Sequence, residues 1–318
     1  MVEKVLLTGL GSIGKRHASN IKSLYGDDVV VGVLRRKSRK HSSLVDVSLY
    51  SWEEVEKWEP VIAFITTPTF MHKEDLLRLL EISSIKYIFI EKPVSNKIED
   101  REVLCKLVRE KGIVTYVAAP LRYTPVIKFY KLKEDDWKPL QMVRICASSH
   151  LPDWREGIDY SKHYSADRAL GGGVALELIH EMDYVRYLWG NPVKGIWGNA
   201  YVSDLDLRAE DTVFGVFRTD EGILIDYYVD YFSLKPDRFF EVRSTRFFAR
   251  FDILSQYVYV RDRFSERFLR FKFQRNDMYI EELKHFWKII RGEIISDNDI
   301  CNAFDTLGFV FRFYENTL

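Results

Sequence analysis

A lysine and a helix-spaced set of ionisable residues carry the chemistry that this chain could do. Lys92 follows the run KYIFI at 86–90 and stands between Glu91 and Pro93. A lysine at the carboxyl end of a buried strand lies where open α/β sheets bind ligands, so it is expected to point into a cleft. Further along, Glu177, His180, Asp183 and Tyr184 recur three and four residues apart and would share one stripe of a helix. Glu, His and Asp all ionise, and side chains of these types move protons in general acid–base catalysis. Few other charges lie on that helix, Glu181 and Arg186, and Gly171-Gly172-Gly173 before it permits close backbone approach.

A second kind of chemistry is recognition of phosphate. Gly9, Gly11 and Gly14 fall in G-x-G-x-x-G spacing, after an apolar strand at 4–8 and before a helix at 13–24. A tight turn without Cβ atoms lets a pyrophosphate reach the backbone, and the free N–H groups of the helix start hold it. Gly9, Gly11, Ser12, Ile13 and Gly14 are therefore candidate cofactor contacts. The second strand, 29–34, runs into Arg35-Arg36-Lys37-Ser38-Arg39-Lys40, with no carboxylate before Asp46. A carboxylate at that strand end selects NAD, whereas an arginine accommodates the 2′-phosphate of NADP. Charge-assisted hydrogen bonds contribute about 1.5–3 kcal/mol each. Arg35, Arg36 and Ser38 therefore predict a preference for NADP(H), with NAD(H) the other cofactor admitted. A third strand at 61–66 ends in Thr66-Thr67-Pro68, which would line the cofactor. His72 lies either near the nicotinamide or only in the first turn of a helix at 70–82.

These residues need a scaffold of alternating strands and helices. Strands at 86–90 and 113–118, with a helix at 96–111 stopped by Gly112, continue the alternation and predict a parallel sheet. A strand at 141–149 opens the second half. The loop 150–169 is polar and aromatic and long for a structureless connection. Its Trp154, Arg155, Tyr160, His163, Tyr164 and Arg168 could stack on or hydrogen-bond a sugar. One helix is expected over 174–189, then strands from 193 onward with a hairpin turn at 219–222, and helices at 276–291 and 298–311.

Length and composition narrow the classes. A chain of 318 residues predicts two domains, placed here at 1–121 and 122–318. Lys plus Arg and Asp plus Glu number 47 each, so no bulk charge points to nucleic acid or an anionic membrane. No apolar run reaches the ~20 residues of a membrane span. No His/Cys/Asp cluster has metal-ligand spacing. Cys105, Cys146 and Cys301 are widely spaced and odd in number, which predicts no disulfide and a reducing, cytoplasmic setting. The chain enters a strand almost at once, without a signal-peptide layout.

In combination, GLGSIGKRH at 9–17, TTPTFMH at 66–72, EKP at 91–93, LRYTP at 121–125 and GGGVALELIHEMDYVRYLWG at 171–190 resemble the glucose–fructose oxidoreductase / inositol dehydrogenase (Gfo/Idh/MocA-type) family of NAD(P)-dependent enzymes. The resemblance covers 1 to about 190. The Glu210-Asp211-Thr212 region also looks like that family's second domain. It implies an α/β fold: a Rossmann domain, then an α+β domain with a large, open, mostly antiparallel sheet that would associate subunits into a homodimer or homotetramer. The implied chemistry is hydride transfer between a nicotinamide and a secondary alcohol or ketone of a sugar, cyclitol or nucleotide sugar. In it Lys92 and His180 would act at the reacting oxygen. Glu91 and Lys92 would also meet the cofactor, and Arg122, Tyr123, Trp154, Arg155, Tyr164 and Asp183 the substrate, with Asp183 read first as orienting a neighbouring backbone or side chain. One departure stands out. Many inositol-dehydrogenase-like members carry an aspartate four residues before the histidine, and here that residue is Leu176. Others carry the acid three residues before, which maps to Glu177 as an assistant to His180. Two other readings are a cofactor-binding regulator, which would not need both Lys92 and His180, and a sugar–sugar oxidoreductase with tightly held cofactor.

Overall fold

Val5, Leu6 and Leu7 are wholly buried and form the middle of a parallel sheet. They belong to a strand, Glu3–Leu7 (β1), paired on one side with Val29–Leu34 (β2) and on the other with Ile62–Ile65 (β4). A three-residue strand, Val47–Leu49 (β3), extends the sheet beyond β2, and Tyr87–Ile90 (β5) and Val114–Val117 (β6) extend it beyond β4. The order is β3-β2-β1-β4-β5-β6, all parallel, the strand order of dinucleotide-binding folds. The continuous apolar runs of β4 and β5 suit strands covered on both faces. Helices Ser12–Tyr25 (α1), Trp52–Trp58 (α2), His72–Leu80 (α3) and Asp100–Lys111 (α4) make the crossovers. The strand β3 was not expected from the sequence, and α4 starts four residues later than the expected 96.

The computed structural model describes residues 3–35 and 42–317. By internal contacts the chain divides into two units: Met1–Ala119 with Tyr279–Asp305, and Pro120–Met278 with Thr306–Leu318. The single cut expected at 121 lacks the return of Tyr279–Asp305 to the first unit.

The second unit is built on an eight-stranded sheet. Its strands are Met142–His150 (β7), Pro192–Ala200 (β8), Thr212–Thr219 (β9), Leu224–Asp230 (β10), Phe232–Arg243 (β11), Phe247–Asp252 (β12), Tyr257–Asp262 (β13) and Glu266–Arg270 (β14). The order is β14-β13-β12-β11-β7-β10-β9-β8, and every pair but β7 with β10 is antiparallel. The expected turn at 219–222 is the β9–β10 hairpin, with Gly222 at φ +85°. Along β7, Val143, Ile145 and Ala147 are buried while Arg144, Cys146 and Ser148 take the other face. The buried face packs on helices Pro125–Leu132 (α5), Val174–Glu177 (α6) and His180–Trp189 (α7). There Tyr130 and Trp189 meet Phe240 edge to face, at ring centroids of 5.5 and 5.2 Å. The other face bears charge: Arg144 pairs with Asp226 at 2.7 Å, and Arg250 reaches Asp237 and Glu241.

The helix Asp277–Ile290 (α8) completes the first unit. Its Leu283, Phe286 and Trp287 are buried against Val5, Val31, Phe64 and Phe89. Phe286 meets Phe64 and Phe89 edge to face, and Trp287 stacks on Tyr25 at 4.2 Å. The helix Ile300–Phe311 (α9) begins in the same unit, where Ile300 N–H donates to Thr115 Oγ1. At its start Cys301 is disulfide-bonded to Cys105 of α4, with Cα atoms 5.6 Å apart. This corrects the expectation of three unpaired cysteines: the two lie 196 residues apart, so spacing carried no sign of the pair. Cys146 is free. Among the described residues no helix is long and apolar enough to cross a membrane.

Candidate active site

In the first unit, the glycine turn joins β1 to α1. Thr66, at the end of β4, braces it: its Oγ1 accepts from Gly9 N–H at 3.2 Å and donates to Gly9 O at 2.8 Å. The three glycines serve different ends. A Cβ on Gly14 would lie 2.2 Å from Gly9 O, so packing requires glycine there, whereas one on Gly9 would meet Thr66 O at a tight 3.2 Å. A Cβ on Gly11 would meet no protein atom within 4 Å, and Gly11 has φ −70°. Neither packing nor backbone conformation requires glycine there. Gly11 is the N-cap of α1, with no side-chain cap and no acidic residue in the first turn. The helix start, with Ser12 exposed and Ile13 half-buried, thus keeps free N–H groups beside open space. The turn fits the pyrophosphate of a dinucleotide.

At the end of β2, Arg35 is half-buried, and its N–H donates to Leu49 O. Arg36 and Ser38 lie outside the described residues. Asp46, the first carboxylate after the strand, is already engaged, accepting from Val31 N–H at 2.9 Å and from Lys22 Nζ at 2.5 Å.

Thr67, Pro68 and His72 follow β4. Thr67 Oγ1 donates to Asp75 Oδ2 at 2.6 Å, and Pro68 is exposed. His72 is buried in the first turn of α3, with Nε2 2.9 Å from Thr67 O and Nδ1 3.0 Å from Pro93 O. Its ring ties the loop after β4 to the loop after β5. Burial is the largest influence on this imidazole and pulls its pKa below the ordinary value, against the two carbonyls and the nearby Glu91 and Asp75. Lys92 is half-buried where β5 ends, and its peptide to Pro93 is cis. Glu91, expected at the cofactor, instead puts its carboxylate on His17 Nε2 at 2.6 Å in a buried pair between β5 and α1. His17 was not singled out from the sequence; its partner is 74 residues away.

In the second unit, the expected single helix over 174–189 is two. The α6 turn ends at Glu177, and Leu178 (φ −97°, ψ 31°) breaks the helix before α7 restarts at His180. The stripe of one continuous helix therefore does not form. Half-buried His180 opens α7, and Glu177 closes α6. Gly173 (φ +102°) precedes α6, and a Cβ there would meet Glu210 Oε1 at 2.6 Å. Glu210 Oε1 accepts from Ala175 N–H and from Tyr314 OH, each at 3.1 Å, and burial pushes this carboxyl above its usual range. Glu210 is a support of α6 that the sequence did not reveal as such.

Arg122, expected at the substrate, binds Asp183, which the sequence placed either at the substrate or orienting a neighbour. Arg122 Nε and Nη2 bind Asp183 Oδ2 and Oδ1 at 2.9 and 2.7 Å, with both side chains nearly covered. Tyr123 is half-buried in the turn after Arg122. The long loop is four short 3₁₀ turns rather than structureless chain. Trp154 Nε1 donates to Ser149 Oγ, and its ring meets Tyr231 edge to face at 5.2 Å. Arg155 lies over the Tyr164 ring at 5.6 Å. Burial raises the Tyr164 phenol to about 12. Ser165 Oγ donates to Glu177 Oε1 at 3.2 Å, which joins the loop to α6. Among the described residues no group of three or more His, Cys, Asp or Glu could hold a metal ion.

The fold and the glycine turn define a class, dinucleotide-binding two-unit oxidoreductases, and comparison with known proteins agrees. Residues 3–119 match the oxidoreductase family with NAD-binding Rossmann fold, and 140–247 match the GFO/IDH/MocA C-terminal domain. The chain belongs to the GFO/IDH/MocA oxidoreductase family. It is 25% identical over 205 residues to scyllo-inositol 2-dehydrogenase (NAD(+)) of Bacillus subtilis, covering 61% of this chain and 56% of that protein. It is 28% identical over 140 residues to levoglucosan dehydrogenase of Pseudarthrobacter phenanthrenivorans, covering 42% and 35%. In these alignments the chain spans about half the length of the curated relatives it matches, or less. A solved structure of a levoglucosan dehydrogenase in complex with NADH superposes with TM-score 0.86 at 16% identity, covering 98% of this chain and 96% of that one. UDP-N-acetylglucosamine 3-dehydrogenase GnnA from Acidithiobacillus ferrooxidans gives 0.78 at 15%, covering 98% and 97%. At these identities the structural likeness shows the fold.

Proposed function

We propose that this protein is an NADP(H)-dependent oxidoreductase acting on a secondary alcohol or ketone of a sugar, cyclitol or nucleotide sugar. We place it as a homodimer or homotetramer formed through the eight-stranded sheet. The open space at Gly11, where neither packing nor backbone calls for glycine, carries the cofactor part of this reading. Arg35 after β2, and the prior engagement of Asp46, favour the 2′-phosphate form. The named activities of the relatives support the substrate class.

When bound, the nicotinamide supplies the acceptor or donor of hydride. This chain's residues do the rest. His180 takes the hydroxyl proton in the oxidative direction and returns it in the reductive one. Lys92 donates hydrogen bonds to the same oxygen and stabilises its developing negative charge. Glu177, joined to the loop through Ser165, supports His180 from the end of α6. Thr67 and Lys92 stand on the two loops that His72 ties together.

Titration with NADPH and NADH in one buffer, followed by nicotinamide fluorescence, tests the cofactor. Tighter NADPH binding is expected; equal or tighter NADH binding removes the assignment of Arg35, Arg36 and Ser38. Replacing Lys92 by Met tests the chemistry. The expected result is a kcat lower by about 100- to 1000-fold, the scale of losing a transition-state donor, with cofactor affinity nearly kept. Normal turnover in that variant would sink the role of Lys92.

A further inference from the structure

Lys92 stands where β5 gives out. Glu91 N–H still donates to Ile65 O at 3.0 Å, but Lys92 and the five residues after it form no helix or strand. A lysine ends a flexible four-carbon stem, and a donor at a reacting oxygen must be held to within about 0.5 Å. Its backbone therefore has to be fixed by contacts other than the sheet ladder. Two buried histidines supply them, one on each side of the lysine. His72 Nδ1 lies 3.0 Å from Pro93 O, and His17 Nε2 lies 2.6 Å from Glu91 Oε1.

The His17 ring is wholly covered, with the rings of Phe64, Phe89 and Tyr279 at centroid distances of 5.4, 5.1 and 6.5 Å. Its Nδ1 has no hydrogen-bond partner among the described residues. A buried N–H without an acceptor is costly, so the ring proton sits on Nε2 and is donated to the Glu91 carboxylate. For stability alone, an apolar pair of similar volume would serve this aromatic surrounding as well or better. What the polar pair adds is direction, since a bond of 2.6 Å holds Glu91 to one point of α1. That same helix starts at the glycine turn. The element offered to the pyrophosphate thus also holds the residue next to Lys92.

We infer that His17 is a positioning residue for Lys92, acting through Glu91. This rests on the proposed role of Lys92 in hydride transfer, and it gives α1 two tasks: to hold the dinucleotide and to set where the lysine stands.

The test uses the full chain and nitrogen-15 relaxation of the Lys92 amide, with the melting temperature as control. Replacing both partners, His17→Leu with Glu91→Met, removes the bond without stranding a buried charge, so the fold should be kept. In this double variant the Lys92 order parameter is expected to fall from about 0.85, the value of rigid backbone, to below about 0.6, with the melting temperature nearly unchanged. His17→Gln, whose amide can donate to Glu91 from nearly the same place, is expected to keep Lys92 rigid. On a panel of neutral, acidic and phosphorylated sugars with NADP⁺, kcat should follow the same order. It should be at least tenfold lower in the double variant, with the NADPH dissociation constant nearly unchanged. An equally rigid Lys92 in the double variant overturns the inference, and so does a Lys92 as loose in His17→Gln as in the double variant. Should the double variant fail to fold, Glu91→Ala, which frees His17 and leaves its aromatic surrounding intact, decides in its place. A loosened Lys92 with unchanged kcat would fail the reading of Lys92 as the donor. A wild-type chain that turns over no sugar of the panel counts against the oxidoreductase reading and leaves the relaxation of Lys92 readable.

Discussion

Single residues separate what the fold needs from what a ligand needs. Gly14→Ala puts a methyl group 2.2 Å from the Gly9 carbonyl, so the turn must shift and the melting temperature should fall. Gly11→Val puts its side chain into open space at an ordinary φ. It should leave the melting temperature within a degree or two and weaken dinucleotide binding at least tenfold, as calorimetry and fluorescence titration would show. Equal affinity in that variant would mean that nothing approaches Gly11. The sequence could announce the glycine spacing but not this division of labour, which depends on where Thr66 and the Gly9 carbonyl lie. The same limit applies to Glu91 and Arg122. Their types suit ligand contacts, and only the fold shows that His17 and Asp183 have taken them. Such partners stand 61 and 74 residues away, beyond any local pattern.

At the scale of elements, strongly patterned segments were legible. The apolar runs of β1, β2, β4 and β5 and the Gly112 stop of α4 predicted themselves. Short or cross-supported elements were not: β3 has three residues, and β13 and β14 lie in a stretch without clear strand boundaries. The break between α6 and α7 has no Gly or Pro to mark it. It goes with distant supports, Glu210 at Ala175 N–H and Tyr231 OH on the Gly173 carbonyl. The helix α7 is tethered twice more, by the Arg122–Asp183 fork and by Arg238 on Glu181 at 2.7 Å. Asp183→Ala strands a buried guanidinium and should cost about 3–5 kcal/mol in denaturant unfolding. If the substitution instead raised only the substrate KM, with stability unchanged, Asp183 would be a substrate contact after all.

Across the whole molecule, the two-unit plan and the family were legible, and the path of the chain between units was not. The sequence suggested one boundary, but Tyr279–Asp305 returns to the first unit, carrying Leu283, Phe286 and Trp287 into its core. Emptying a core of one large aromatic side chain alone costs about 3–5 kcal/mol. A fragment cut after residue 121 lacks two such side chains, Phe286 and Trp287, together with Leu283, and exposes Phe64 and Phe89. It should lack the cooperative thermal transition of the intact chain in differential scanning calorimetry, and a sharp transition would show that the dinucleotide unit is self-sufficient.

That return also sets an order in time. A ribosome delivers residues 3 to 119 early, yet the strands of β1 to β6 must wait for about 160 further residues before α8 arrives to cover Phe64 and Phe89. The second unit's sheet is complete by Arg270, before that helix emerges. The first unit's core thus stays open until α8 is made, and its uncovered aromatic face is the surface a chaperone would meet during synthesis; the second unit waits too, for the final segment that brings Phe313 onto Trp197 and Tyr227.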